Sequence, residues 1–208
     1  MKNSLLATAV ISALSACGGD TVNNFDPTVN NFNAFAEKFD TYKEVGFQEI
    51  NPDDLPDTAD MQGFFTGYQE SYKNLFVGTA RATADFKNKS LNGSAFNIAE
   101  YGDDGENPGC STNLKDCSGT PIQDLVGSLI ISGTIEGVKF NFSIDGTLSG
   151  VDPNDSALNA DVALNGSGAF GTINDNLVAV GISEGSVVLT SNEEIFTESI
   201  SGILYLEK

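Results

Sequence analysis

Three cysteines, 29 carboxylates and no histidine bound the chemistry open to this 208-residue chain. Without an imidazole there is no Ser-His-Asp arrangement, no Cys-His pair and no histidine metal ligand. Cys110 and Cys117 are separated by Ser-Thr-Asn-Leu-Lys-Asp, inside a run rich in Gly, Asn, Pro and Asp. In an exported chain such a pair reads as a disulfide that closes a small loop. Zinc is the competing reading, yet its sites want four ligands, usually Cys or His. Closing so short a loop stabilises by about 2 to 3 kcal/mol at most, so the expected task of the bridge is to stiffen an exposed loop.

Paired carboxylates are the other chemical feature. Asp53-Asp54, Asp103-Asp104 and Glu193-Glu194 all fall in expected loops, where they read as solvated turn residues rather than as a glycosidase pair. Calcium could use Asp103, Asp104 and Glu106, or Asp152, Asn154 and Asp155, but neither set follows the EF-hand spacing with its final Glu. The expectation is a protein that is not an enzyme and that carries no metal or cofactor.

Cys17 differs from the other two cysteines by its context. Lys2, an apolar core from Leu5 to Leu14 and the small residues Ser15-Ala16 precede it. A cationic head, an apolar stretch and small residues before a cut make a secretory signal. Leu14-Ser15-Ala16-Cys17 resembles the bacterial lipobox, which implies lipidation (a palmitate-type modification) of Cys17 and a lipoprotein tethered to the outer membrane, at the cell surface or facing the periplasm. The apolar stretch is about ten residues, against roughly twenty for a membrane-spanning helix. Removing residues 1–16 from the 208-residue chain leaves 192, and the loss of Lys2 moves the formal charge from −19 to −20. That surface makes nucleic acid an improbable partner. Acidic loops that keep an exported protein soluble account for the charge, and binding of a cation or a basic partner is the alternative.

The elements that would position these residues follow from texture. Residues 17–31 are polar, rich in Asn and without period, which suits a flexible tether. Residues 32–60 form an N-terminal helix and linker: Phe32, Phe35, Phe39 and Tyr42 recur at spacings of three, four and three, one stripe of a short helix expected to pack on the domain or one of its ends. Asn51-Pro52-Asp53-Asp54-Leu55-Pro56 then breaks the chain.

From residue 61 to 208 the period is two. Val138, Phe140, Phe142 and Ile144 alternate with Lys139, Asn141, Ser143 and Asp145, a strand with one dry and one wet face. The same alternation gives eight or nine strands near 61–68, 74–86, 91–99, 127–136, 138–149, 157–172, 176–183, 185–191 and 196–206. Asn88-Lys89-Ser90, Glu136-Gly137 and Glu184-Gly185 supply hairpin turns between them. Consecutive hairpins favour an all-β fold, an 8-stranded antiparallel up-and-down soluble β-barrel, over a sandwich. A lipid-embedded barrel would need aromatic girdles, and this chain has no Trp and 5 Tyr. Eight strands enclose a filled core or one small ligand, and the mix of Phe, Ile, Gly and Ala expected inside favours filling.

Gly63-Phe64-Phe65-Thr66-Gly67-Tyr68 and then Ala82-Thr83-Ala84-Asp85-Phe86-Lys87-Asn88-Lys89-Ser90-Leu91-Asn92-Gly93 follow Leu55-Pro56 in order. The last segment resembles the Asp-Phe, turn, Gly signature of the transferrin-binding protein B type β-barrel of surface lipoproteins. Gly146-Thr147-Leu148-Ser149-Gly150 and Gly166-Ser167-Gly168-Ala169-Phe170-Gly171 are similar to its Gly-rich strand segments, over roughly residues 55–208. Gly171 stands where that family commonly has an aromatic residue, and the chain has room for one barrel and no handle domain. The resemblance implies a binding module for an iron carrier, haem or a host or environmental protein, working with a TonB-dependent receptor. A structural or envelope-stability lipoprotein is the alternative. Contact with a ligand would then rest on the loop over residues 102–121, through Asp103, Asp104, Leu114, Lys115 and Asp116.

Overall fold

The computed structural model describes residues 47–69, 71, 74–101, 121–151, 156–191 and 194–208. Nine strands make up this part: β1 (Gln48–Glu49), β2 (Thr58–Gln69), β3 (Asn74–Asp85), β4 (Ser90–Tyr101), β5 (Gln123–Glu136), β6 (Lys139–Val151), β7 (Ala157–Ile173), β8 (Asn176–Ser191) and β9 (Glu194–Glu207). Each strand from β2 to β9 pairs antiparallel with the next, and β9 returns to β2 through Gln62↔Glu207 to Gln69↔Ile200. The result is a closed eight-stranded up-and-down barrel without a free edge. β1 stands apart from this ring. It adds to the part of β7 that outruns β6, pairing Gln48 with Thr172 and Glu49 with Gly171.

Alternation along each strand sends the apolar side inward, the reverse of a lipid-embedded barrel. Phe140, Phe142, Ile144 and Leu148 of β6 point in with Leu129 and Ile131 of β5, Leu164 of β7 and Leu204 and Leu206 of β9. Lys139, Asn141 and Asp145 point out and are exposed. The interior is filled by these side chains. Phe86, Phe170, Phe140 and Phe142 form a ladder of rings with centroids 4.8, 4.9 and 5.5 Å apart. Glycine makes space for it, since a Cβ on Gly181 would stand 2.6 Å from the Phe142 ring. Outside, polar pairs bridge facing residues of neighbouring strands: Thr147 donates to Asp161 at 2.6 Å, Ser149 to Asn159 at 2.9 Å and Thr83 to Asp60 at 2.7 Å.

One end of the barrel carries tight turns. Asn174 and Asp175 both take positive φ, +48° and +65°, between β7 and β8, as a two-residue type I′ hairpin requires. Gly137 turns β5 into β6 at φ +61°. At the turn after β3, the Asp85 carboxylate accepts from the Asn88 backbone N–H and side-chain amide, both at 2.8 Å. Those bonds hold its pKa below the usual carboxylate range. The other end carries the connections over 70–73, 102–122, 152–156 and 192–193.

The structure departs from the sequence reading at one turn and at several strand bounds; the strand expected from residue 127 starts at Gln123, and the short strand β1 lies in the expected linker. β8 runs unbroken from Asn176 to Ser191, so there is no turn at Glu184-Gly185. Gly185 is needed there because its missing Cβ would run into the carbonyl of Ala163 on β7. The barrel also begins at Thr58, three residues before the expected start. Between β1 and β2 lies a 3₁₀ turn, Pro52–Asp54, capped by the Asn51 side chain. The signal over 1–16, the tether over 17–31 and the aromatic stripe of the expected helix lie outside the described residues.

Candidate functional site

Cys17, Cys110, Cys117, Asp103, Asp104, Leu114, Lys115 and Asp116 also lie outside the described residues. The base of their loop is described. Ile122 N–H donates to the Glu100 carbonyl at 2.7 Å, and Glu100 pairs with Gln123, so the chain leaves β4 and enters β5 side by side at the loop end of the barrel.

A polar cluster closes the interior at this mouth. Gln69 follows Met61 and Phe65 on the inward face of β2, and Asn74 shares the inward face of β3 with Ala80 and Ala82. Gln123 shares that of β5 with Leu125 and Leu129. Glu100 of β4 sits among them, 8 % exposed. Its carboxylate accepts from Asn74 Nδ2 at 2.5 Å and from Gln123 Nε2 at 2.6 Å. Gln123 is itself clamped across the mouth: it donates to the Val151 carbonyl at 3.0 Å and accepts from the Val151 N–H at 2.8 Å. Loss of water pushes the Glu100 carboxyl above its usual pKa, and the bonds from Gln123 and Asn74 offset part of that rise. Gln69 is 2 % exposed and its Nε2 has no hydrogen-bond partner.

This arrangement can hold a group by hydrogen bonds. Among the described residues of this cluster, Glu100 is the one carboxylate. Among the described residues no group of three or more His, Cys, Asp or Glu side chains could hold a metal ion. A second concavity of about 440 Å³ opens on the outer wall at the turn end, between Asp60, Arg81, Asn92 and Lys208. It is shallow and carries both signs of charge.

The large exposed apolar side chains among the described residues are unevenly placed. Ile122 just before β5 and Val126 and Ile130 on it form a stripe, Val151 ends β6, and Ile195 and Phe196 lie at the start of β9. All six lie in the loop-end half of the barrel or at its middle. Val126 is 75 % exposed and Ile130 63 %.

The sequence reading missed Glu100, Gln69, Asn74 and Gln123. Only Glu100 left a signal, a carboxylate two residues past Ile98 on what turns out to be the same face. Comparison of the chain with protein-family models, with curated proteins and with solved structures finds no match.

Proposed function

We propose that the protein is a lipid-anchored binding module of the outer membrane that recognises its ligand on the outside of the loop end of the barrel. The observation that carries this reading is the group of exposed apolar residues on the neighbouring strands β5 and β6, where Val126, Ile130 and Val151, with Ile122 just before β5, lie on one wall toward that end. With the interior filled, a ligand is met on the surface, and the exposed apolar area shared by the adjacent strands β5 and β6 is where a partner docks. The loop over residues 102–121, rooted beside the β5 stripe, carries Asp103, Asp104, Leu114, Lys115 and Asp116 in its sequence. That mixture suits a basic or mixed protein surface. The lipobox supports acylation at Cys17, and the spacing of Cys110 and Cys117 supports a bridge that stiffens the loop. The resemblance to transferrin-binding barrels supports an iron-carrier protein or haem as the ligand class, with a TonB-dependent receptor as the associated partner.

The test uses the mature chain with immobilised iron-loaded transferrin and, separately, haem. Binding of either is expected to weaken when residues 111–116 are replaced by a Gly-Ser linker, and again in V126D/I130D, with the cooperative melt retained. With 29 acidic residues in the chain, association with a basic surface should slow at high salt. Retention of neither probe would favour the structural lipoprotein. Intact mass from membrane fractions should give the 192-residue chain plus lipid, and Cys17→Ser should release it; an unchanged location in that variant overturns the anchor.

A further inference from the structure

The outer wall of the barrel is covered on one side. Val178 and Val180 alternate with the inward Leu177 and Ala179, and Tyr205 with the inward Leu204 and Leu206, so all three face out. They are nevertheless buried, at 1 %, 9 % and 1 % exposure. Val180, Tyr205 and Phe64 form one row across β8, β9 and β2, and Ile182, Ile203 and Thr66 form the next. Thr66, also outward, is 8 % exposed. On the opposite wall, four strands away around the ring, the outward Val126 of β5 is 75 % exposed. An outward side chain loses water only to something packed on the wall.

The described chain shows where that cover begins. Phe47 packs on this apolar patch. β1 delivers it there by pairing with β7, and Gly171 makes room, because a Cβ at that position would run into the Phe47 ring. One ring cannot cover this wall, which continues past β2 through the outward Val77 of β3 and Ala99 and Tyr101 of β4, buried at 0 %, 2 % and 0 % exposure, and is about 20 to 25 Å wide over five strands. The chain immediately before Phe47 carries Phe32, Phe35, Phe39 and Tyr42.

We propose that residues 32–46 lie across the outer wall of β8, β9 and β2 and bury it with these four aromatic side chains. Fifteen residues reach about 22 Å as a helix and about 50 Å extended, so either form crosses the wall. Glu184 of β8 and Glu207 of β9 stand on the outward side of the same strands, and the segment carries Lys38 and Lys43 to pair with them in this arrangement. A short apolar-aromatic segment thereby fixes the direction in which the chain leaves the barrel.

Two measurements decide this. Carbodiimide treatment of the mature chain, as an equal mixture of ¹⁵N-labelled and unlabelled protein, should join Lys38 or Lys43 to Glu184 or Glu207 within single-isotope peptides. Mixed-isotope cross-links at those sites would mean that a second copy covers the wall, and their absence while other sites react would remove the segment from it; either overturns the proposal. Hydroxyl-radical labelling should leave Tyr205 protected in the lipid-free wild type and raise its oxidation several-fold in F32S/F35S/F39S/Y42S. Labelling of Tyr205 in the lipid-free wild type would point to a membrane-covered wall, and unchanged protection in a folded variant would likewise overturn the proposal. Should the variant not fold, the cross-linking on the unaltered sequence still decides.

Discussion

Glu100 is the residue at which burial and charge meet most directly. Its carboxyl has a raised pKa in the folded protein, chiefly because it is desolvated. A raised carboxyl pKa contributes stability that is fully present below the ordinary value of 4.5 and is lost as pH rises through the folded value. Glu100→Gln should therefore flatten the dependence of urea midpoint on pH across that window. The amide can still accept from Gln123, and Asn74 can rotate to accept in turn. Glu100→Ala leaves two amide donors without their acceptor and should cost about 2 to 4 kcal/mol in urea denaturation at neutral pH. A contrast in the core checks the alternation itself. Phe142→Ala empties space between the rings and Gly181 and should cost about 3 to 5 kcal/mol, whereas Asn141→Ala, exposed on the same strand, should fall within about 0.5 kcal/mol.

At the scale of the element, β4 carries the decisive irregularity. Its inward residues are Leu91 and Ala95 before Asn97, then Ile98 and Glu100 after it. Against β3, Thr79 faces Phe96 and Val77 faces Ala99, so β4 carries one residue more there, a bulge with Asn97 at φ +50°. The extra residue changes which parity faces in. It leaves Phe96 outside, where its ring lies 5.3 Å from the Arg81 guanidinium carbon. Deleting Asn97 should turn Glu100 outward and drive Tyr101 toward the interior, costing more than about 4 kcal/mol by thermal or urea melt. Asn97→Gly, which meets the positive φ without a Cβ, should stay within about 1 kcal/mol of wild type. Equal effects of the two changes would mean that the bulge does not set the facing of the strand end.

At the scale of the molecule, closure matters more than any single strand. The first and last barrel strands pair over eight positions, from Gln62↔Glu207 to Gln69↔Ile200. That long-range pairing has to form before either edge is protected, so folding should be slow, in the range of about milliseconds to seconds. Truncation before Glu194 opens the edges of β2 and β8 together. The shortened chain should lose its cooperative melt and associate on size exclusion, because exposed edges template strand pairing. A monomeric, cooperatively melting truncation would show that closure is dispensable.

Much of this fold is legible without coordinates because alternation is local. Each β-strand turns successive side chains to opposite faces, so the period of two in Val138 to Asp145 assigned Phe140, Phe142 and Ile144 to the interior, and turn residues at Asn88-Lys89 and Glu136-Gly137 marked hairpins that form. Other features depend on what lies beside a strand, and neighbours far apart in sequence leave no local trace. Gly185 looks like a turn residue in isolation, yet it answers the close approach of the Ala163 carbonyl of β7. Glu100 enters the mouth only because a bulge inverts β4 in front of it, and the burial of Tyr205 on an outward face arises only from what packs over the closed ring. The sequence by itself determined most of the strands and, wherever the period of two runs unbroken, the side that faces the core; tertiary structure decided the register, the contents of the mouth and the covered wall, since these are set by contacts between strands rather than by the chain's own period.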